Sequence, residues 1–202
     1  MHENILTSEQ IDLLPLIKEF KKEFYMVGRT AIALQIGHRE SIDFDLFKNG
    51  SYSVNRINKK IAWHSKLEKV KFESEEEYTV IINGVQFTFY DYPYEIIANE
   101  KFKSYINMPD LLTLSAMKAF ALGKRAKWKD YVDLYFIFQQ HSLNGVITKT
   151  EEIFKNEFNS KLFRQQLSYY TDVRYDESVT YKQGFETSDE KIKQFLTKVA
   201  IS

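Results

Sequence analysis

Two aspartates placed two positions apart are the residues of this sequence best suited to chemistry. Residues 42–47, IDFDLF, alternate between apolar and acidic side chains, which is typical of a β-strand with one face toward a core. Side chains two apart on a strand point the same way, so Asp43 and Asp45 present two carboxylates on one face. Mg²⁺ prefers carboxylate oxygens, together with water and substrate phosphates. The pattern predicts a site for one or two Mg²⁺ ions that serve phosphoryl transfer.

A glycine turn ahead of this strand adds a place for phosphate. Residues 24–27, FYMV, predict a short buried strand that ends at Gly28. Gly28 lets the backbone approach a ligand closely, and residues 30–36 predict a short helix whose first N–H groups face an anion. An acidic alternating strand alone is usually just half-exposed. Its coupling to the glycine turn through one short helix indicates a triphosphate site.

The run from residue 24 to residue 47, FYMVGRTAIALQIGHRESIDFDLF, closely resembles the first motif of the AbiEii/AbiGii toxin family. That family belongs to the DNA polymerase β-like nucleotidyltransferases, whose hallmark is Gly-Gly or Gly-Ser, a spacer and then Asp-x-Asp. The resemblance implies that Gly28 forms the phosphate turn, and that Asp43 and Asp45 bind Mg²⁺ and act in catalysis.

Further residues of this run are predicted to contact the nucleotide. Thr30 stands at the start of the short helix, and the resemblance places Arg39 and Ser41 beside the metals, where they could touch phosphate. Arg29 departs from the family pattern, which has Gly or Ser at this position. Its guanidinium could bind the triphosphate through two nitrogens, or its bulk could fill the site and impair catalysis. His38 is interpreted as a turn residue, because no second His stands at metal-ligand spacing.

A third carboxylate is a common addition in this superfamily. In residues 85–91, VQFTFYD, the odd positions share one face of a predicted strand, and Asp91 ends that apolar face. Asp91 is therefore a candidate third metal ligand. The alternative is that the strand has already ended and that Asp91 belongs to the turn before Pro93.

Residues 109–137, PDLLTLSAMKAFALGKRAKWKDYVDLYFI, resemble the later motifs of the same family. The resemblance implies that Lys118 and Asp130 act in catalysis and that Arg125 and Lys129 bind the nucleotide. From the residues alone, Lys118 lies in an apolar stretch and would extend toward solvent. With the resemblance, it is expected to point at phosphate.

Two alternatives concern the predicted helix near residue 131. Asp130 could cap the first turn of this helix instead of serving catalysis. Asp133 lies one turn later on the same face, so that the two acids could jointly accept hydrogen bonds from Arg125 or Lys129. An apolar and aromatic stripe at helical spacing is expected to belong to the core rather than to a base-stacking platform. This stripe consists of Tyr131, Leu134, Tyr135 and Phe138.

The elements that must position these residues indicate an α+β fold. Thr7 and Gln10 resemble a capping box that opens a helix to about residue 24, which Pro15 must kink or restart. Asn83-Gly84 is a strong hairpin signal between two predicted strands. Together with the resemblance, these elements predict a polymerase β-like mixed sheet with flanking helices in residues 1–100. Residues 101–202 are predicted to form a helical half that contributes to the active site.

Length and composition narrow the class of protein. The chain has 202 residues, 28 Lys and Arg against 28 Asp and Glu, and no cysteine. The absence of cysteine excludes a disulfide scaffold, a zinc-thiolate site and a cysteine nucleophile. No membrane span and no signal peptide are evident, so a cytoplasmic protein is expected. The zero net charge conceals a contrast, since residues 72–100 hold seven acids without Lys or Arg, whereas residues 101–129 hold seven basic residues and one acid.

The leading hypothesis is a Mg²⁺-dependent nucleotidyltransferase that transfers a nucleoside monophosphate from an NTP to a hydroxyl. The resemblance suggests the 3′ end of tRNA as one acceptor, and a cognate antitoxin protein of an AbiE-type pair, an abortive-infection system, as a partner. One alternative is a nucleotide- or RNA-binding module on the same fold that Arg29 has made catalytically impaired. Another is a nucleotidyltransferase that modifies small molecules such as antibiotics.

Overall fold

The carboxylates of the sequence motif lie on the second strand of a mixed sheet. The computed structural model describes residues 1–122 and 126–202. The strands in these residues are β1 Tyr25–Val27, β2 Asp43–Lys48, β3 Leu67–Glu73, β4 Glu77–Ile82, β5 Val85–Asp91, β6 Glu100–Phe102 and β7 Ile106–Met108. Five of them form one sheet in the order β1-β2-β5-β4-β3, and β6 pairs with β7.

Helices flank this sheet and make up most of the second half of the chain. The described α-helices are α1 Ser8–Asp12, α2 Leu14–Phe20, α3 Gly28–Ile36, α4 Val54–His64, α5 Leu111–Leu122, α6 Trp128–Ile137, α7 Leu143–Phe154, α8 Ser160–Leu167 and α9 Asp189–Ala200. None of these helices is long and apolar enough to cross a lipid bilayer. The predicted α+β class, a mixed sheet with flanking helices and a helical second half, is confirmed.

The first predicted helix is divided in two at the position of its proline. Thr7 and Gln10 form the reciprocal capping box, and α1 ends at Asp12. The chain restarts as α2, with Pro15 in its first turn. Proline has no backbone N–H, but an N–H in the first turn of a helix has no partner within the helix. Pro15 therefore costs α2 no hydrogen bond.

Strand β2 lies between an antiparallel and a parallel neighbour. It pairs antiparallel with β1 and parallel with β5. Phe44 and Leu46 are fully buried and face Phe87 and Phe89 in the core. This burial fixes the register, because a shift by one residue would turn the aspartates into the core.

One hairpin is confirmed and another was not predicted. Asn83 and Gly84 both have positive φ, +48° and +73°, as the tight turn between β4 and β5 requires. The β6–β7 hairpin lies where the sequence indicated only helices. Its strands have three residues each, which is too short for an alternating pattern to stand out.

The hydrophobic core continues from the sheet into the helices α5 and α6. The stripe of α6 that was predicted to be core is buried, and it consists of Tyr131, Leu134, Tyr135 and Phe138. The helix itself begins at Trp128 and ends at Ile137, whereas the sequence predicts a helix over residues 131–140. The division into units at residue 100 stays a prediction.

Candidate active site

Asp43 and Asp45 lie on the face of β2 that is turned away from the core. In the register of the sheet, Asp43 is beside Gln86 and Asp45 is beside Thr88 of β5. The side chains of both aspartates are partly exposed. The strand thus presents two carboxylates side by side, in the arrangement that the alternating sequence predicts.

A cavity of about 510 Å³ opens over this face of the sheet. The strands contribute polar lining residues, which are Asp43, Asp45, Glu77, Thr79, Gln86 and Thr88. Basic lining residues come from the other side, where Lys118 lies on α5 and Lys127 immediately precedes α6. Glu77 of the acidic stretch 72–100 and Lys118 and Lys127 of the basic stretch 101–129 therefore line the same cavity.

Aromatic side chains line another part of the cavity. They are Phe47, Tyr90, Tyr92 and Phe120. The ring centroid of Phe47 lies 5.1 Å from the centroids of both Tyr90 and Tyr92. Sequence reasoning did not single them out, although strand alternation places Phe47 on the same face as the two aspartates.

Gly28 brings the backbone against the second carboxylate. Its φ is +71°, and a β-carbon built on it would lie 2.0 Å from Oδ2 of Asp45. The glycine is therefore required both by its left-handed backbone and by this close approach. Helix α3 begins at this residue, two positions earlier than predicted, so its first N–H groups adjoin the carboxylates.

Arg29 spans two acids at the edge of the cavity. One guanidinium nitrogen lies 2.7 Å from Oδ2 of Asp43, and another lies 2.5 Å from Oε2 of Glu177. Burial lowers the pKa of Arg29, but the charges of Glu177 and Asp43 outweigh burial and raise this pKa above its ordinary value. The guanidinium thus contacts an oxygen of a predicted metal ligand.

Glu177 is a site residue that sequence reasoning missed. Besides Arg29, its carboxylate contacts Nζ of Lys127 at 3.1 Å and Nζ of Lys129 at 3.2 Å. Burial raises the pKa of Glu177, but Arg29 and the two lysines outweigh burial and lower this pKa to about 2. Residues 140–202 carry no recognisable motif, so no sequence signal pointed to this acid.

Thr30 and Ser41 support the start of β2 from behind. Both are buried, and the Thr30 hydroxyl contacts the Ser41 hydroxyl at 2.8 Å. The same Thr30 hydroxyl donates to the backbone carbonyl of Asp43. These contacts hold the strand that carries the aspartates, and neither residue lines the cavity described above.

A buried ion cluster joins the first half of the chain to α6. Asp133, which is fully buried, accepts from Nε and Nη2 of Arg39 at 2.8 and 2.9 Å. It also contacts Nε2 of His38 and Nζ of Lys118, each at 2.9 Å. Burial raises the pKa of Asp133, but Arg39 and Lys118 outweigh burial and hold this pKa well below its ordinary value.

The cluster corrects the predicted roles of Arg39 and His38. Arg39 is 1% exposed, and its guanidinium donates hydrogen bonds to Asp133 and to the Glu40 carbonyl. It therefore does not reach the cavity to contact phosphate. His38 is a buried partner of Asp133 rather than a turn residue. Lys129 contacts Glu177 instead of Asp133. Arg125, predicted to bind the nucleotide, lies outside the described residues.

Lys118 and Asp130 form a pair at the wall of the cavity. Nζ of Lys118 lies 2.7 Å from Oδ1 of Asp130. Lys118 is buried, so it does not extend into solvent, and it also contacts the carboxylate of Asp133. Asp130 stands in the first turn of α6, where the residue in the N-cap position is Lys127 and makes no side-chain cap. The pair therefore places one ammonium group where α5 borders the aspartates.

The structure does not bring Asp91 to the other two aspartates. Its partner in the sheet register is Lys48, so it lies on the opposite face of the sheet from Asp43 and Asp45. Its carboxylate accepts the backbone N–H of Gly50 at 2.8 Å. Asp91 is the last residue of β5, and its contact supports the turn after β2. A role as third metal ligand is contradicted by this position.

The buried histidine makes stability depend on pH. Burial lowers the pKa of His38 below its ordinary value of 6.5, although the hydrogen bond with Asp133 opposes this effect. Below pH 6.5 the unfolded chain therefore takes up a proton that the folded chain does not. We expect the free energy of unfolding to fall by up to about 1.4 kcal/mol per pH unit in this range.

The His38→Gln variant provides the comparison for this prediction. Glutamine keeps an N–H donor for Asp133 but cannot titrate. Urea unfolding of both proteins at pH 8 and pH 5.5 should show the larger loss in the unsubstituted protein. Equal losses in both proteins would contradict the assignment of a neutral His38.

The donors on β2 fit a magnesium ion. Two carboxylates are the usual protein contribution to a Mg²⁺ site, because substrate phosphates and water supply the other ligands. Asp43 and Asp45 meet this requirement, and Gly28 leaves space at Asp45 that a β-carbon would fill. Among the described residues, no cluster of three or more acids or histidines forms a complete metal site.

This fold and this pair of aspartates beside a glycine turn define a nucleotidyltransferase. The family model described as "Nucleotidyl transferase AbiEii toxin, Type IV TA system" matches residues 16–199. The chain belongs to this family of toxin nucleotidyltransferases. A relative of 25% identity over 187 residues is an uncharacterized protein of Aquifex aeolicus, with 86% of this chain and 88% of the relative covered.

Solved structures share the fold at low identity. JHP933 from Helicobacter pylori superposes with a TM-score of 0.62 at 14% identity, covering 97% of this chain and 92% of that one. MenT4, a nucleotidyltransferase toxin from Mycobacterium tuberculosis, gives a TM-score of 0.58 at 12% identity, covering 96% and 84%. The predicted nucleotidyltransferase fold is thereby confirmed.

Proposed function

We propose that this toxin transfers a nucleoside monophosphate from an NTP to a hydroxyl of an RNA acceptor, with the 3′ end of tRNA as the favoured acceptor. The hydroxyl oxygen bonds to the α-phosphorus, the bond from this phosphorus to the bridging oxygen breaks, and pyrophosphate leaves. The hydroxyl proton passes to water. The observation that carries the proposal is the pair Asp43 and Asp45 beside the Gly28 turn, in a cavity that also holds Lys118 and Lys127.

Magnesium fits this reaction as the cofactor. Asp43 and Asp45 would hold Mg²⁺, which when bound neutralises phosphate charge and aligns the reacting oxygens. Arg29 must then release the Asp43 oxygen that it contacts. The guanidinium is thereby freed to bind a phosphate.

The other residues position the substrate and the carboxylates. The backbone of Gly28 and the first N–H groups of α3 face the phosphates. Thr30 and Ser41 hold the start of β2, so that the Asp43 carboxylate keeps its direction. Asp130 orients the ammonium of Lys118 at the cavity wall. Positioning and charge neutralisation of this kind do most of the work in phosphoryl transfer.

The aromatic wall of the cavity supports a nucleic-acid substrate. Bases stack favourably on aromatic rings, whatever their sequence. Phe47 and Tyr90 lie two residues beyond Asp45 and its neighbour Thr88 along β2 and β5, and the ring of Tyr92 follows the end of β5. We assign them to the base of the NTP or to the terminal base of the acceptor.

One partner and one location are inferred for this toxin. The protein would be restrained by a cognate antitoxin protein, as one half of an abortive-infection system. It would act in the cytoplasm, because NTPs and tRNA are available there. The family match supports the antitoxin partner.

Labelled-nucleotide transfer tests the proposal. Total RNA is incubated with the protein, Mg²⁺ and each α-labelled NTP in turn, and labelled RNA is measured on a gel. We expect Asp43→Asn and Asp45→Asn to reduce transfer to background with the fold intact. Asp91→Asn is the matched control and should retain transfer, because Asp91 lies on the other face of the sheet. Undiminished transfer by the first two variants would refute the proposed site.

A catalytically impaired binding module is the second candidate, and the Arg29–Asp43 contact favours it. If the guanidinium keeps its place on Asp43 when nucleotide binds, a metal cannot use this oxygen. Calorimetry with an NTP and Mg²⁺ then shows binding, while the transfer assay shows no product with any NTP. Product formation would exclude this candidate.

A further inference from the structure

Three cations converge on one carboxylate at the edge of the cavity. Arg29 comes from the first turn of α3, whereas Lys127 and Lys129 come from the start of α6. All three contact Glu177, at distances of 2.5 to 3.2 Å. The three positive charges exceed the two negative charges of Glu177 and of Asp43, which Arg29 also contacts, so the cluster can hold an anion with more charge than one carboxylate.

The cluster is continuous with the catalytic face. A single guanidinium connects Glu177 to Asp43, because separate nitrogens of Arg29 contact each acid. Arg29 and Lys127 also line the cavity together with Asp43 and Asp45. A chain of phosphates that starts at the aspartates would therefore reach the place where the Glu177 carboxylate lies.

Glu177 lies on a short loop that is anchored at both ends. On one side, Arg174 exchanges backbone hydrogen bonds with Ala126 and Trp128. On the other side, Thr180 and Lys182 bond to the backbone of residues 38–40. Between these anchors, residues 175–179 form a loop that is exposed or half-exposed. The Glu177 carboxylate can leave the cations by rotation of its own side chain, which is 34% exposed, while Tyr175 stays stacked on Trp128 and Val179 stays packed against the core.

We propose that Arg29, Lys127 and Lys129 bind the terminal phosphates of the nucleotide, and that Glu177 occupies this place in the free protein as an internal competitor. This inference rests on the proposed function, since it assigns a part of the same site. A terminal phosphate carries more charge and more acceptor oxygens than a carboxylate, so it binds more strongly to a guanidinium and two ammonium groups. Nucleotide binding then displaces Glu177 and also draws Arg29 from Asp43.

The test measures binding of inorganic tripolyphosphate by calorimetry at low ionic strength. This probe has no nucleoside, and no acceptor RNA is added, so only phosphate binding is measured. We expect Glu177→Gln to bind tripolyphosphate about 10-fold more tightly than the unsubstituted protein, because the competing charge is gone. Asp176→Asn is the matched control. It removes the same charge one residue away, where the acid pairs with Arg174, and should change the affinity less than about 2-fold.

A second variant ties the gain to the cluster. Adding Lys129→Gln to Glu177→Gln should abolish the gain, because one of the three cations is lost. Unchanged affinity in Glu177→Gln, an equal gain in Asp176→Asn, or no measurable binding to any variant would each overturn the inference.

The transfer assay separates this inference from the proposed function. If the unsubstituted protein transfers no nucleotide while Glu177→Gln gains tripolyphosphate affinity, the phosphate site is supported and the proposed reaction fails. If transfer occurs and the gain is absent, the reaction is supported and the role of Glu177 is refuted.

Discussion

The Asp133→Ala variant is expected to lose about 3–5 kcal/mol of unfolding free energy. Asp133 is the acid that Arg39 and Lys118 share, and all three side chains are buried. Without this acid, the Arg39 guanidinium retains one carbonyl partner, on Glu40, and carries an uncompensated charge in the core. A loss of this size is a large part of the stability of an ordinary domain, so much of the variant should be unfolded.

Urea unfolding followed by circular dichroism measures this loss. Asp176→Ala provides the control, because its ion pair with Arg174 is exposed and should contribute less than about 1 kcal/mol. The combined variant Asp133→Leu with Arg39→Met should regain part of the stability, since it removes the stranded charge. A loss below about 1 kcal/mol in Asp133→Ala would contradict the central role of this acid.

Gly28→Ala is expected to reduce nucleotide transfer by more than about 100-fold. The new β-carbon would lie 2.0 Å from Oδ2 of Asp45, so the carboxylate must move by an ångström or more. A displacement of this size at a catalytic group costs about 100-fold in rate. The left-handed backbone adds a stability loss of about 1–2 kcal/mol, which denaturation would detect separately.

Gly84→Ala separates strain from collision. Gly84 has almost the same φ, +73° against +71°, yet a β-carbon there meets no described atom within 4 Å. This variant should show a similar loss of stability and nearly normal transfer. If both variants lose transfer equally, the backbone strain and not the Asp45 contact explains the effect.

Local patterns were enough to predict most of the first half of the fold. The alternation around Asp43 and Asp45 identified β2 and its two faces, because a strand with one buried face has to alternate. The Asn83–Gly84 pair fixed the hairpin between β4 and β5 through the backbone angles that it favours. The β6–β7 hairpin was not predicted, because strands of three residues are too short to show an alternating pattern.

Long-range charge pairing was beyond the reach of the sequence. Arg39 and Asp133 lie 94 positions apart, and nothing local shows that these two side chains meet in the core. The same limit applies to Glu177, which lies in a stretch without a motif. The resemblance placed the Arg39 guanidinium near the two aspartates, but in the structure this group is buried in the core, where it pairs with Asp133. The prediction for Asp91 was wrong for another reason. In the register of β5 with β2, the Asp91 side chain lies on the opposite face of the sheet from Asp43 and Asp45.

The distance in sequence between Arg29 and Glu177, 148 positions, has a consequence during protein synthesis. A nascent chain that has reached residue 100 already contains both aspartates. It still lacks Lys118, Lys127 and the acid that Arg39 needs inside the core. On the proposed function, α6 must therefore be synthesised before the two aspartates can act in transfer, and the loop with Glu177 follows later. A nascent chain that ends in the first half would transfer no nucleotide.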